Sequence, residues 1–501
     1  MHAALKTNDI LREVFTHIRH DPSAAKRSKD AYHAALVCRQ FLPHALDALW
    51  FSVDNIRPLL SLIPNSEIVT SDDDSLALHG ILHKADLATF DLYARRVQEI
   101  HQIDRPHPFG LHVAVIVDLL DCLGRRFLFP NLRVLRFTPF RDELRSSYCF
   151  VLGPNLERLE VFYGIENDLK YFFPRVVQAA PSLRHFKTSN VIPPSLMHLT
   201  SRLPKLQLLE SWNGYTISPT SFVSSIPFAE HIETWRLGAL SIESPESPPA
   251  TIQFPVLTCL ELKAHLISSN ITPLFSQSLF PKLKRFTFNA PPYDFRPETA
   301  NLYKESWLNL CSLIFKQPLE FLSIRKYDDD DDDPVVETQM PLENYFASVK
   351  TAHPLTTLRM AEPRLLKPLT NSSIDRLCTA FPKLTDLYLH CYASTLASFE
   401  IVALLAQRLP QLKSLDIGID GSSLSDPPTV PILSHRLEKL CLQNSMVGYT
   451  FWFARYIDRL FPFATVKSFP LPDDGDDVVL ALKLIRDSRQ DQEVRSLQEN
   501  S

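Results

Sequence analysis

Residues 129–137 read FPNLRVLRF, an apolar residue and a proline followed by Leu132, Leu135 and Phe137. The last two apolar positions alternate with Arg136, as a strand with one buried face requires. The same string returns as GPNLERLEV (153–161), FPVLTCLEL (254–262), FPKLKRFTF (280–288), FPKLTDLYL (381–389) and LPQLKSLDI (409–417). Weaker copies bring its first apolar position to Leu132, Leu156, Leu183, Leu206, Ile232, Leu257, Leu283, Leu319, Leu355, Leu384, Leu412 and Leu437. Nine of the eleven steps between them lie between 23 and 29 residues, which chance does not produce. Proline stands two residues before the first apolar position in eight copies and immediately before it in two. Outlying copies start near Val97 and Phe463.

Between copies lie LKYFFPRVVQAA (169–180), NLYKESWLNLCSLIF (301–315) and EIVALLAQRL (400–409), whose apolar residues recur at helical spacing. Each unit is therefore a short strand and a return helix, too small to bury its own apolar face. Stacking closes the core, which predicts an α/β solenoid with parallel strands inside the curve and helices outside. This pattern resembles the leucine-rich-repeat family, and the resemblance implies a right-handed horseshoe of about 12–13 irregular repeats over residues 97–486. That family usually places Asn or Cys three residues beyond the last strand leucine. Phe140, Gly164, Val191 and Gly214 stand there instead, so the turn-bonding side-chain ladder is expected to be missing. The two 36-residue steps flank an aspartate run and predict one enlarged helix (299–315) and one exposed acidic loop (328–334).

Residues 1–54 carry no repeat. In NDILREVFTHI, Ile10, Leu11, Val14, Phe15 and Ile18 form one apolar stripe, with Thr7 or Asn8 as the natural cap. A Pro- and Lys-containing loop is expected next, then helices in AYHAALVCRQF and, after Pro43, HALDALW. Ile10-Leu11 with Val14-Phe15, then Val37-Cys38-Arg39, then Leu49-Trp50 resemble the F-box, and with the repeats behind them the large F-box families of mushroom-forming fungi. The resemblance implies docking to the Skp-family adaptor of a cullin-RING ubiquitin ligase, with Ile10, Leu11, Val14, Phe15, Val37, Cys38, Phe41 and Trp50 divided between the module's core and the adaptor contact. The Leu-Pro pair that usually opens the motif is absent, with Lys6-Thr7 near that position. A repeat scaffold with a vestigial F-box and no ubiquitin transfer is the alternative. Residues 55–96 are expected to hold a linker and lead-in helices, and 487–501 a disordered tail.

On the repeat strands, the residues flanking the buried positions point to the concave face. They include Arg136, Arg158, Glu160, Lys187, Glu210, Trp212, Arg236, Glu261, Lys263, Arg325, Arg359, Tyr388, His390 and Asp416. Both charge signs mix with aromatic rings, which suits a protein substrate better than a polyanion, and Trp212 and Tyr388 are the expected anchors.

Composition agrees with this. Only 11 glycines against 39 prolines disfavour a glycine-rich nucleotide fold. Net charge is −5, and without Asp328–Asp333 it would be +1, so the field does not point to nucleic acid. The eight cysteines show no Cys-x-x-Cys spacing and are expected to be buried free thiols in a reducing compartment. No signal-peptide or membrane-span pattern occurs, so a soluble protein of the cytoplasm or nucleus is expected. Motifs for phosphate loops, dinucleotide binding, serine hydrolases and HExxH metalloproteases are lacking, and no catalytic residue, metal or cofactor is expected. His79 and His83 are four apart on an expected helix, but Gly80 follows the first and no third ligand is evident. His390 beside Cys391 would face the opposite side of a strand.

Overall fold

The computed structural model describes residues 7–21, 23–64, 67–70, 76–79, 82–102, 113–138, 150–162, 166–189, 192, 196, 198–211, 215–217, 230–238, 240–242, 252–263, 275, 278–290, 297–326, 340–361, 367–389, 396–422, 424, 430–442, 445–468 and 474–499. The chain divides into two compact units, Met1–Tyr215 with Ser224–Arg236, and Thr216–Val223 with Leu237–Ser501.

The first unit opens on three helices, α1 (Asn8–Arg19), α2 (Ala24–Ala35) and α3 (Leu42–Leu49). Leu11 and Phe15, four apart on α1, are buried, and Phe15 packs with Ala31 of α2 and with Ala45 and Ala48 of α3. Small residues on two helices let one phenylalanine close the module. The expected loop before residue 30 is mostly helix. The Ser23 hydroxyl accepts from the Lys26 amide, and the Ala-Ala-Lys-Arg that follows has high helix propensity.

Parallel strands follow. Ser52–Val53 pairs with Glu99–Gln102, which pairs in turn with Val134–Phe137, Arg158–Val161, His185–Thr188 and Leu208–Ser211. The ladder thus begins inside residues 1–54, the span expected to hold the helical module alone. In the second unit, Cys259–Lys263, Arg285–Ala290, Phe321–Lys326, Thr357–Ala361, Asp386–Leu389, Ser414–Ile417, Lys439–Leu442 and Thr465–Ser468 pair in that order, all parallel. Every pairing is in register, so equivalent repeat positions form rows across the strands. Leu135, Leu159, Phe186 and Leu209 make one buried row, and Leu358, Leu387, Leu415 and Leu440 another. The parallel ladder with its recurring turn is the leucine-rich-repeat fold.

The turn explains the proline. Amides of Leu132, Leu156, Leu183, Leu206, Leu283, Leu384 and Leu412 donate to the carbonyl three residues back at 3.0–3.3 Å. Each closes a β-turn with proline at its second position, where the fixed φ of about −65° is already correct. Proline also ends the preceding helix, because the residue before it is driven out of the helical region. Phe381, Leu409 and Phe461 cap the helices Asn371–Ala380, Phe399–Arg408 and Thr450–Leu460 in that manner, and all three are buried. One dipeptide stops the helix, turns the chain and sets an apolar anchor.

Side chains stitch some repeats together at this same turn. Asn131 donates to the Arg95 carbonyl at 2.7 Å, and Asn155 to the Pro130 carbonyl at 3.0 Å. His353 and His435, buried and two residues before Leu355 and Leu437, bond the Gln317 and Leu409 carbonyls at 2.9 Å. The positions where the family's asparagine was expected lie outside the described residues, as does the acidic loop.

The enlarged helix runs from Pro297 to Ile314. The expected disordered tail is instead helical to Glu499, in a helix that starts at Asp474. Its Val478 and Leu482 are buried, its Arg486 donates to the Ala464 and Phe461 carbonyls, and Arg486 and Arg489 pair with the buried Asp458. His79 lies on a strand, Leu76–His79, antiparallel to Glu67–Thr70, and not on the expected helix. Among the described residues no cluster of His, Cys, Asp and Glu could hold a metal, and no helix is long and apolar enough to cross a membrane.

Candidate functional site

The helical module keeps several apolar side chains in water. Ile10 and Val14 are 41% and 43% exposed along one edge of the apolar stripe of α1, beside the buried Leu11 and Phe15. Leu36 and Val37, which follow α2, are 68% and 63% exposed. Of the eight residues carried over from the F-box resemblance, Leu11 and Phe15 are therefore core residues that no partner can touch. Phe41 is half-buried, its ring 5.8 Å from that of Phe15, and Trp50 is half-buried 5.1 Å from Tyr93. Cys38 is a half-buried free thiol. Ile10, Val14 and Val37 are the members left open. Arg96, which pairs with Asp47 of α3 and donates to the Pro43 carbonyl, clamps the module to the turn before the second strand.

The face of the ladder opposite the apolar rows holds the expected strand positions. In the first unit one row reads His101, Arg136, Glu160, Lys187, Glu210. Glu160 and Glu210 are only 4% and 3% exposed, although they were expected to line an accessible surface. Glu160 is gripped by Arg136 at 3.2 Å and by Arg158, and Glu210 by Lys187 at 2.9 Å and Arg236 at 3.1 Å. Burying a carboxylate requires such pairing, so the two glutamates hold four cations in place as part of the fold. The preceding row adds Glu99 and His185, both missed from the sequence. Burial and the neighbouring Arg158 push the His185 imidazole below its usual pKa.

In the second unit the equivalent row reads Glu261, Thr287, Ser323, Arg359, Tyr388, Asp416, Cys441, Lys467. Asn289 donates to Glu261 at 3.1 Å. Burial pushes the Asp416 carboxyl up to about 6, against smaller downward pulls from the Cys441 thiol and Arg359. The Cys441 thiol is itself pushed up to about 12, mainly by burial and then by Asp416. A carboxyl whose folded pKa lies above its unfolded value favours folding below about pH 4, and that contribution disappears as pH rises through about 6. Asp416→Asn is therefore expected to raise the melting temperature at pH 7.5 and leave it unchanged near pH 4. An equal shift at both pH values would contradict the assignment.

Phe321 and Arg285 were missed. They occupy the row before this one, where Arg285 pairs in register with Phe321. The Arg285 guanidinium lies 4.3 Å above the Phe321 ring, and that of Arg359 lies 5.6 Å from it. Trp212, His390 and Cys391 lie outside the described residues, and nothing is described for the side chain of Lys263.

No family model and no curated protein matches the chain. Solved structures do match it in fold, at low identity. An internalin, inlF of Listeria monocytogenes, is 10% identical, covering 84% of this chain and 91% of its own, with a TM-score of 0.32. A chain of the Rad7–Elc1 complex of yeast is 13% identical, covering 86% and 92%, with a TM-score of 0.35. A chain of the TLR13–ssRNA13 complex is 12% identical with a TM-score of 0.30; 82% of this chain covers 62% of that one, under two thirds of its length. These likenesses concern the fold alone.

Proposed function

We propose that this chain is the substrate-recognition subunit of a Skp-cullin-F-box ubiquitin ligase. In that role the helical module docks the adaptor and the open face of the strands holds a protein substrate. The observation that supports it most is the exposed apolar set Ile10, Val14, Leu36 and Val37, on the module whose sequence resembles an F-box. Exposed apolar residues gathered on one small module are what a partner helix covers. The chain itself then performs no chemistry. It raises the local concentration of a substrate near a ubiquitin carrier, an effect of proximity.

Co-precipitation with a Skp-family adaptor tests this reading. Wild type is expected to retain the adaptor, and Val14→Asp with Val37→Asp to lose it, while the melting temperature stays unchanged because both residues are exposed. Lys6-Thr7 in place of the opening Leu-Pro favours the second reading, a scaffold without ubiquitin transfer. Failure of wild type to retain the adaptor would establish that one.

A further inference from the structure

Three arginines on three consecutive strands of the second unit, Arg285, Arg325 and Arg359, make no ion pair with a carboxylate among the described residues, although Arg359 acts on the Asp416 carboxyl at longer range. Arg285 and Arg325 are exposed and Arg359 is half-buried. All three share the open face, since Phe286, Ile324 and Leu358 beside them are buried. The contrast with the first unit is chemical. There every arginine of the central row meets a buried glutamate, so the charge is satisfied internally. Here Glu261 accepts from Asn289, and the buried Asp416 carboxyl lies three strands beyond the Phe321 strand and two beyond that of Arg359.

Phe321 organises the trio. Arg285 stacks on its ring and Arg359 sits at its other neighbour strand, while the Arg325 Nε donates to the fully buried Ser323 hydroxyl at 3.1 Å. A guanidinium held over a ring by cation–π attraction keeps its charge and its N–H donors for an anion, which it can bind through two of them at once. Neighbouring strands lie about 4.8 Å apart and Arg359 stands two residues beyond the position in register with Arg285, so the two are separated by about 12 Å along the face. An extended peptide advances about 7 Å for every second side chain, and its acidic groups therefore reach more than one of these arginines at once.

We propose that Arg285, Arg325 and Arg359 around Phe321 form a binding site for an acidic segment of a partner protein, bearing carboxylate or phosphate groups. This rests on the open strand face being the substrate-holding surface, and it names the substrate class. Single-stranded nucleic acid fits less well, because base recognition needs open aromatic faces and the face of Phe321 is taken by Arg285.

Fluorescence anisotropy on the full chain tests the site with labelled peptides of about twelve residues. One alternates Glu with Ser, one alternates phosphoserine with Gly, one alternates Gln with Ser, and an oligouridine of similar length completes the set. At least one acidic peptide is expected to bind, weakening as salt rises, and whichever binds identifies carboxylate or phosphate as the ligand group. Arg285→Gln/Arg325→Gln/Arg359→Gln is expected to weaken it by about tenfold or more. Arg133→Gln, on an exposed residue of the first unit, leaves it unchanged. If the triple variant melts early, Arg285→Gln and Arg325→Gln are read singly. Equal binding of the Gln peptide, an unchanged affinity in the arginine variants, or tighter binding of oligouridine than of both acidic peptides overturns the proposal. The Val14→Asp/Val37→Asp variant should bind peptide like wild type, so loss of this site and loss of adaptor docking are read separately.

Discussion

Trp307→Ala is expected to lower stability by about 3–5 kcal/mol, the largest effect of any single substitution considered for the second unit. Trp307 is fully buried on the enlarged helix, its ring 5.3 Å from that of Phe288 in edge-to-face geometry. Leu310, Cys311 and Ile314 complete its buried side, so the helix rests on this indole as on a wedge. Alanine leaves a cavity that neighbouring rings on fixed strands cannot close. Urea denaturation measures the loss, and a change under about 0.5 kcal/mol would mean that the helix is not docked on the Phe288 strand.

Asp458→Ala is the second large effect. The carboxylate is 6% exposed and pairs with Arg486 at 3.5 Å and with Arg489, both on the C-terminal helix. Breaking a buried pair costs about 3–5 kcal/mol, but these arginines are 29% and 41% exposed and relax into water. The expected loss is therefore about 2–3 kcal/mol. It should fall on the attachment of residues 474–499, which pack on the helix before them and on the Thr465–Ser468 strand. Limited proteolysis should release that helix from the variant first. Its loss uncovers the last strand of the ladder, an edge that invites pairing between copies. Cleavage at the same rate as wild type would contradict this role for Asp458.

The repeat was legible because its signal is covalent as well as apolar. Proline at a fixed offset from leucine marks the turn in copy after copy, and strand alternation follows at once. The sequence did not reveal that proline also stops the helix, or that Asn131, Asn155, His353 and His435 bond the turn of the repeat before. Those partners are backbone carbonyls about one repeat away, which no local pattern displays. The C-terminal helix was invisible for a related reason. Its polar stretch reads as disordered until Asp458, nearly thirty residues upstream, is seen to hold Arg486 and Arg489.

The binding faces were legible in part. Alternation placed Arg136, Lys187 and Arg359 on the open side of the strands, but could not tell that Glu160 and Glu210 are buried between cations. It also favoured the last flanking position of each copy, so Arg285 and Phe321, one position pair earlier on the same side, went unnoticed. In the helical module, spacing marked Ile10, Leu11, Val14 and Phe15 as one stripe. Only packing divides that stripe into the buried Leu11 and Phe15, of which Phe15 packs with Ala31, Ala45 and Ala48, and Ile10 and Val14, which face water.

Hydrogen exchange of the chain, alone and with a purified Skp-family adaptor, is the most direct test of the proposed role. Slowed exchange confined to α1, the end of α2 around Leu36 and Val37, and the start of α3, with the strand ladder unchanged, is the predicted result. Protection on the strands instead, or none anywhere at saturating adaptor, would contradict it.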